Sequence, residues 1–189
     1  EIIPQAIEDA KFNAAQNGMD NAEFYCMDAG AAAKLLAERG EKPDVIVTCP
    51  GRPLDIDFYQ SAKALIGLTE ILDGDIVTLL TCGCAEGVNS PDMLRAFASG
   101  STLPEIERWT TEHYEIQMDH VLLLAKIYRK GAKVVLSCPN VSDDEARTML
   151  MEPEKDPQKA LERAMALTGK ACPRVLFYPR PQTGLPYLK

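Results

Sequence analysis

Apolar positions along the chain fall into alternating blocks of two periods. Residues 4–17 repeat at helical spacing, with Ala6, Ile7, Ala10, Ala14 and Ala15 on one face, Pro4 in the first turn and Asn17-Gly18 as a stop. A short run over 22–27 predicts a strand, and the alanine-rich segment 30–39, closed by Gly40, predicts a helix. DVIVT at 44–48 predicts a strand ending in Cys49-Pro50-Gly51, and 55–71 a helix with a stripe through Ile56, Ala62, Leu65, Ile66 and Ile71. DIVTLLTC at 75–82 is apolar on both faces, the pattern of a strand inside a parallel sheet. Helices follow over 90–98, with Ser90 as cap and Pro91 first, then 104–113, and 117–130 stopped by Gly131. KVVLSC at 133–138 predicts the next strand, 142–151 and 156–169 two more helices, and 174–178 the last strand. Ser142 and Glu145 have the spacing of a capping box.

Five strands that alternate with helices predict an α/β fold, a three-layer, open, mainly parallel five-stranded sheet with helices on both faces, Rossmann-like or flavodoxin-like. No repeat, low-complexity tract or long linker divides it, so a single α/β domain over 1–189 is expected. Three strands run into proline, at Pro50, Pro139 and Pro179. Proline stops strands, and the carboxyl ends of parallel strands are where such sheets bind ligands. The candidate site loops are therefore Cys26–Asp28, Cys49–Pro53, Cys82–Asn89, Cys138–Asn140 and Pro179–Gln182.

Composition narrows the function. The 189 residues are 46% hydrophobic and 25% charged, with a net charge of −8. That balance argues against a nucleic-acid coat or an anionic membrane as partner. No apolar run approaches the roughly 20 residues that span a bilayer. The chain opens on Glu1 with no basic n-region and apolar h-region, so no signal peptide is expected. The six cysteines, at 26, 49, 82, 84, 138 and 172, show no disulfide framework; Cys26, Cys49, Cys82 and Cys138 each end an apolar run, and buried free thiols in a reducing cytoplasm are the expected reading.

Several residue groups could carry chemistry. Asp55 to Lys63, DIDFYQSAK, opens the helix after the 44–48 strand, at the ligand end of the sheet. Tyr59, Gln60 and Lys63 are three and four residues apart and can face one spot. A phenol, an amide and an ammonium together suit a small carboxylate that also carries a hydroxyl or carbonyl group. A solvated first turn gives the same pattern. Thr81 to Val88, TCGCAEGV, is a glycine-bearing strand-to-helix loop that matches no phosphate-binding signature. Its two cysteines could offer thiolates to a metal, but no second pair or histidine completes the usual spacing, so no metal site is expected. The two histidines, His113 and His120, lack metal-ligand spacing, and His120 reads as a satisfied or surface residue beside Asp119. Trp109 reads as packing or as an edge of the site.

Two family resemblances lie on different parts of the chain. From about residue 43 to the end it resembles the C-terminal domain of the nickel-pincer-nucleotide lactate racemases and related 2-hydroxyacid racemases. The stretches that carry the likeness are PDVIVTCPGRPLDIDFYQSAKAL, DGDIVTLLTCGCAEGVNSPD, the segment from His120 through VLLLAKIYRKGAKVVLS, and RVLFYPRPQTGLP. The resemblance implies that Tyr59, Gln60 and Lys63 contact a small 2-hydroxyacid. It also implies that the catalytic histidines, the cofactor-bearing lysine and the nickel ligand belong to a separate N-terminal lobe. The nickel-pincer nucleotide, which takes a hydride from the α carbon and returns it on the other face, is thus expected there. This chain would carry no catalytic residue and bind no cofactor alone. Residues 1 to about 47, EIIPQAIEDAKFNAAQNGMDNAEFYCMDAG and then PDVIV, instead resemble RNA uracil-5-methyltransferases that use S-adenosylmethionine. That resemblance implies Glu1 at the cofactor ribose and Asp28 on the adenine side. It lacks the glycine-rich loop, and the family's Asp-Pro-Pro-Arg is here Thr48-Cys49-Pro50-Gly51-Arg52. The chain thus reads as a chimera: a substrate lobe, a methyltransferase remnant, or a catalytically inert α/β domain.

Overall fold

The computed structural model describes residues 4–26, 35, 38, 39 and 42–183. It begins with helix α1, Pro4–Gln16, which buries Ile7 and Ala14. The strands are β1, Val45–Thr48; β2, Val77–Thr81; β3, Lys133–Ser137; β4, Glu152–Pro153; and β5, Val175–Phe177. They form one sheet in the order β4-β3-β2-β1-β5, every pair parallel. The register sets Val45 beside Val77 and Val175, and Thr81 beside Ser137. All four β1 residues are buried, as a central parallel strand requires.

From β1 the chain steps outward to β4 and then returns to the far side of β1. Right-handed crossovers therefore put the early connections on one face and the returning one on the other. The early connections carry α2, Phe58–Ser61, and α3, Lys63–Ile66; then α4, Pro91–Phe97, α5, Leu103–Glu112, and α6, Asp119–Arg129; then α7, Asp143–Thr148. Their apolar faces close on Ile46, Leu80, Val134 and Leu136 to make the larger core, with Phe58, Leu65, Leu68, Met93 and Phe97 almost wholly buried. The return carries α8, Pro157–Leu167, whose Ala160 and Ala164 lie on Val45, Val47, Val77, Leu79 and Val135. The alternation of the strands thus feeds two cores, and the three layers are real.

The caps explain the helix starts. Ser90 accepts from the Met93 N–H, Asp156 from those of Gln158 and Lys159, and Ser142 with Glu145 closes the expected capping box. Two expectations are corrected. The described part of the first strand, residues 22–26, is not a strand. The fifth strand is instead Glu152–Pro153 at the edge, where a two-residue strand with a proline leaves no alternation to read. The helix expected over 55–71 is also broken. A 3-10 turn, Leu54–Ile56, is followed by Asp57 in extended backbone, which restarts the helix as α2, and α3 begins beyond Ala62. Most of the 30–39 helix, and both Glu1 and Asp28, lie outside the described residues.

Candidate functional site

The order reverses between β1 and β5, so the carboxyl edge of the sheet has its switch point there, the usual ligand crevice of an open α/β sheet. The strand ends are tied across it. Tyr178 N–H donates to the Val47 carbonyl at 2.8 Å, Arg180 N–H to that of Cys49 at 2.8 Å, and Thr48 Oγ1 to that of Tyr178 at 2.8 Å. Gly51 holds φ +68, and a Cβ there would meet Arg180 Nε at 2.6 Å, so the turn after β1 needs glycine. The β1 and β2 loops are laced together: Gly83 N–H donates to the Asp55 carboxylate at 2.5 Å, Cys84 N–H to the Asp55 carbonyl at 3.1 Å, and Phe58 N–H to the Gly87 carbonyl at 2.9 Å.

Asp57 seeds the first cluster. Its carboxylate caps α2 by accepting from Gln60 N–H at 2.7 Å and takes a second bond from Asn89 Nδ2 at 3.0 Å. One turn of helix then brings Lys63 Nζ to Gln60 Oε1 at 2.6 Å. Among the described residues no carboxylate pairs with this half-buried ammonium. Tyr59 packs its ring against His120, centroids 4.1 Å apart. Burial, with Asp119 nearby, raises the Tyr59 phenol above its ordinary range.

His120 is the residue the sequence pattern undervalues. It comes from α6, is 4% exposed, and sets Nδ1 3.1 Å from Asp119 Oδ2. Burial holds its pKa below the ordinary imidazole value; Lys63 adds to this, while Asp119 and Asp57 oppose it. The neutral ring donates from Nδ1 to Asp119, a tautomer assigned from that bond, which leaves Nε2 an acceptor. Nε2 is buried and has no partner among the described residues. The arrangement therefore offers spare donors on Lys63, complementary to a carboxylate, while the unpartnered His120 acceptor stays closed off behind Tyr59. Trp109 stacks on His113 at 4.5 Å, with Arg95 over its ring, and packs against the larger core.

A second cluster stands at the ends of β2 and β3. One residue beyond the last register pair come Cys82 and Cys138, and Cys82 N–H donates to the Ser137 carbonyl at 3.1 Å. Cys84 turns back at φ +47, a left-handed conformation unusual for a residue with a Cβ, and is fully buried. The three sulfurs lie within 4.8 Å of one another. The Cys138 thiol donates to the Gly83 carbonyl at 3.6 Å, and the neighbouring Cys82 and Cys84 thiols hold its pKa below the ordinary thiol range. Cys82 and Cys84 rise correspondingly. Burial pushes up the neighbouring Cys49 thiol. Cys49, Gly51, Asp55, Cys82, Gly83 and Lys155 line a cavity of about 440 Å³ at this edge. Sequence spacing brought only Cys82 and Cys84 together; Cys138 arrives through strand register, and Cys26 is exposed rather than buried.

The model of the lactate racemase C-terminal domain matches residues 39–179. The apoprotein structure of lactate racemase from Thermoanaerobacterium thermosaccharolyticum aligns with a TM-score of 0.65 at 20% identity, a likeness of fold. The alignment covers 78% of this chain and 35% of that one. Shorter matches link the chain to uncharacterized RNA methyltransferases. That of Oceanobacillus iheyensis is 46% identical over 66 residues, 34% of this chain and 14% of its own length. That of Lactiplantibacillus plantarum is 48% identical over 63 residues, 33% of this chain and 14% of its own.

Proposed function

This chain belongs to the lactate racemase C-terminal domain family, and from that premise we propose that it is the lobe that binds a small 2-hydroxyacid for a racemase site completed by a second lobe. The observation that carries the reading is the half-buried Lys63 ammonium, whose described partner is the neutral Gln60 amide 2.6 Å away. A carboxylate is the complement that an ammonium with spare donors lacks. In this reading Lys63 and the Gln60 amide hold the carboxylate and Tyr59 lines the site.

The nickel-pincer nucleotide would belong to the second lobe. The described residues do not fit as its holders: His120 is closed in against Asp119, and His113 turns Nδ1 to the Trp109 carbonyl at 3.0 Å. The part derived for this chain is binding and orientation alone.

Calorimetric titration of the chain with lactate and with malate tests the reading. Saturable binding that Lys63→Ala weakens about tenfold or more, the scale of a charge-assisted hydrogen bond, is expected. Binding that ignores that substitution would sink the proposed site, and no saturable binding would reduce the domain to an inert fold.

The methyltransferase matches favour a second reading for the front of the chain, binding of S-adenosylmethionine through Glu1 and Asp28. Thermal stabilisation by S-adenosylhomocysteine that disappears in Asp28→Ala would support it. An unmoved melting temperature would leave that segment with no cofactor role.

A further inference from the structure

We infer that Cys82, Cys84 and Cys138 form a binding site for one thiophilic d10 metal ion, of the zinc(II) or copper(I) class, at the carboxyl ends of β2 and β3. The first support is geometric. Three sulfurs bound to zinc at about 2.3 Å in a tetrahedral arrangement stand about 3.8 Å apart. Here they already lie within 4.8 Å of one another, so a contraction of side-chain rotamers closes the set. A disulfide would use two of the sulfurs and strand the third; one soft ion uses all three.

The second support is the frame around the sulfurs. Asn140 Nδ2 donates to the Gly83 carbonyl at 2.8 Å and fixes the Cys82–Cys84 loop to the end of β3. Ser61 Oγ stands 3.5 Å from Cys84 Sγ, and the Cys138 thiol reaches the Gly83 carbonyl at 3.6 Å. Such outer contacts orient ligands. The third support is backbone conformation. Cys84 is held at φ +47 with its side chain fully buried, and this turn is what brings a sulfur two residues past Cys82 back beside it. A left-handed non-glycine residue costs stability wherever it stands, and such residues gather at ligand clamps. Cys82 lines the cavity at the edge of the sheet, which gives the ion a way in and leaves room for a fourth, exchangeable ligand.

The experiment uses the unsubstituted chain, fully reduced. It is titrated anaerobically with zinc(II), and in a separate arm with copper(I), each in competition with a chromogenic chelator. Alkylation with iodoacetamide and peptide mass mapping follow. One equivalent of metal in at least one arm is expected, with loss of alkylation at Cys82, Cys84 and Cys138. Cys26 and Cys172, both exposed, should stay alkylated and serve as internal controls. Cys82→Ser, at the half-buried position, should weaken binding by more than about 100-fold, beyond the loss of an outer partner. No stoichiometric uptake in either arm, or uptake that leaves these three thiols as reactive as before, overturns the site. So does a Cys82→Ser chain with unchanged affinity.

Discussion

The two ends of the sheet treat their polar groups in opposite ways. At the amino end, Asp44 accepts from Lys170 Nζ at 2.5 Å and from Arg174 N–H at 2.8 Å, and its own N–H donates to the Arg174 carbonyl at 2.9 Å. Close by in sequence, Lys42 pairs with Asp73 at 2.5 Å. Charge there is spent on joining the starts of strands. At the carboxyl end, Lys63 keeps donors in reserve, His120 Nε2 and Gln182 Oε1 are buried without partners among the described residues, and three thiols share one small space. Left-handed non-glycine residues, Cys84, Asn89 and Arg180, follow the strands on that side. The carboxyl end gathers the groups a ligand could answer, which is how a parallel sheet separates holding together from holding a ligand.

Substitutions can break that contrast or sharpen it. The largest effect is expected from Asp44→Asn, which leaves Lys170 and the Arg174 N–H without their charged acceptor and should cost about 1.5–3 kcal/mol at neutral pH. Burial works against this carboxylate, but Lys170 and the Arg174 N–H outweigh it and hold its pKa below the ordinary range. Its contribution is therefore complete above the unfolded value of about 4 and fades as pH falls through the lowered folded value. Melting curves of both chains should converge in that acid window. Lactate affinity should not move, and a parallel loss of affinity would show that the two ends are not separable.

Lys63→Ala should do the reverse. Its melting temperature should stay within the range of about 0.5 kcal/mol typical of surface changes while hydroxyacid binding falls. A large loss of stability would turn Lys63 into a structural cation and remove the contrast. The smallest effect concerns His120. Its folded pKa is lowered, so the native protein loses stability as pH drops from about 6.5 toward that value. His120→Phe keeps a ring against Tyr59 and should flatten that slope; Asp119, Asp57, Lys63 and Tyr59 are the groups that face the ring. An unchanged slope would show that the imidazole titrates in contact with water.

The helices were largely legible in sequence because they rest on local signals. Ser90, Ser142 and Asp156 announce helix starts through side chains that reach two or three residues ahead. The parallel α/β architecture was legible from apolar runs such as VTLLT and KVVLS. Strand order was not, because pairing partners lie far apart in sequence. The two-residue edge strand at Glu152 was illegible for want of length, and the apolar run at 22–26 mimicked a strand it does not form. Tyr59, Gln60 and Lys63 stand out because a single helical turn gathers them. His120 and Cys138 do not, since a packed helix brings one and strand register the other.

The strand order has one more consequence, for how such a chain can be assembled. Both neighbours of β1, β2 and β5, lie downstream of it. Among the described residues nothing ahead of Lys42 supplies a rung of the sheet. A segment from another protein can therefore be grafted ahead of Asp44 without matching register, twist or hydrogen-bond partners. The point just before β1 is a natural seam, and the lactate racemase family match begins close to it, at residue 39.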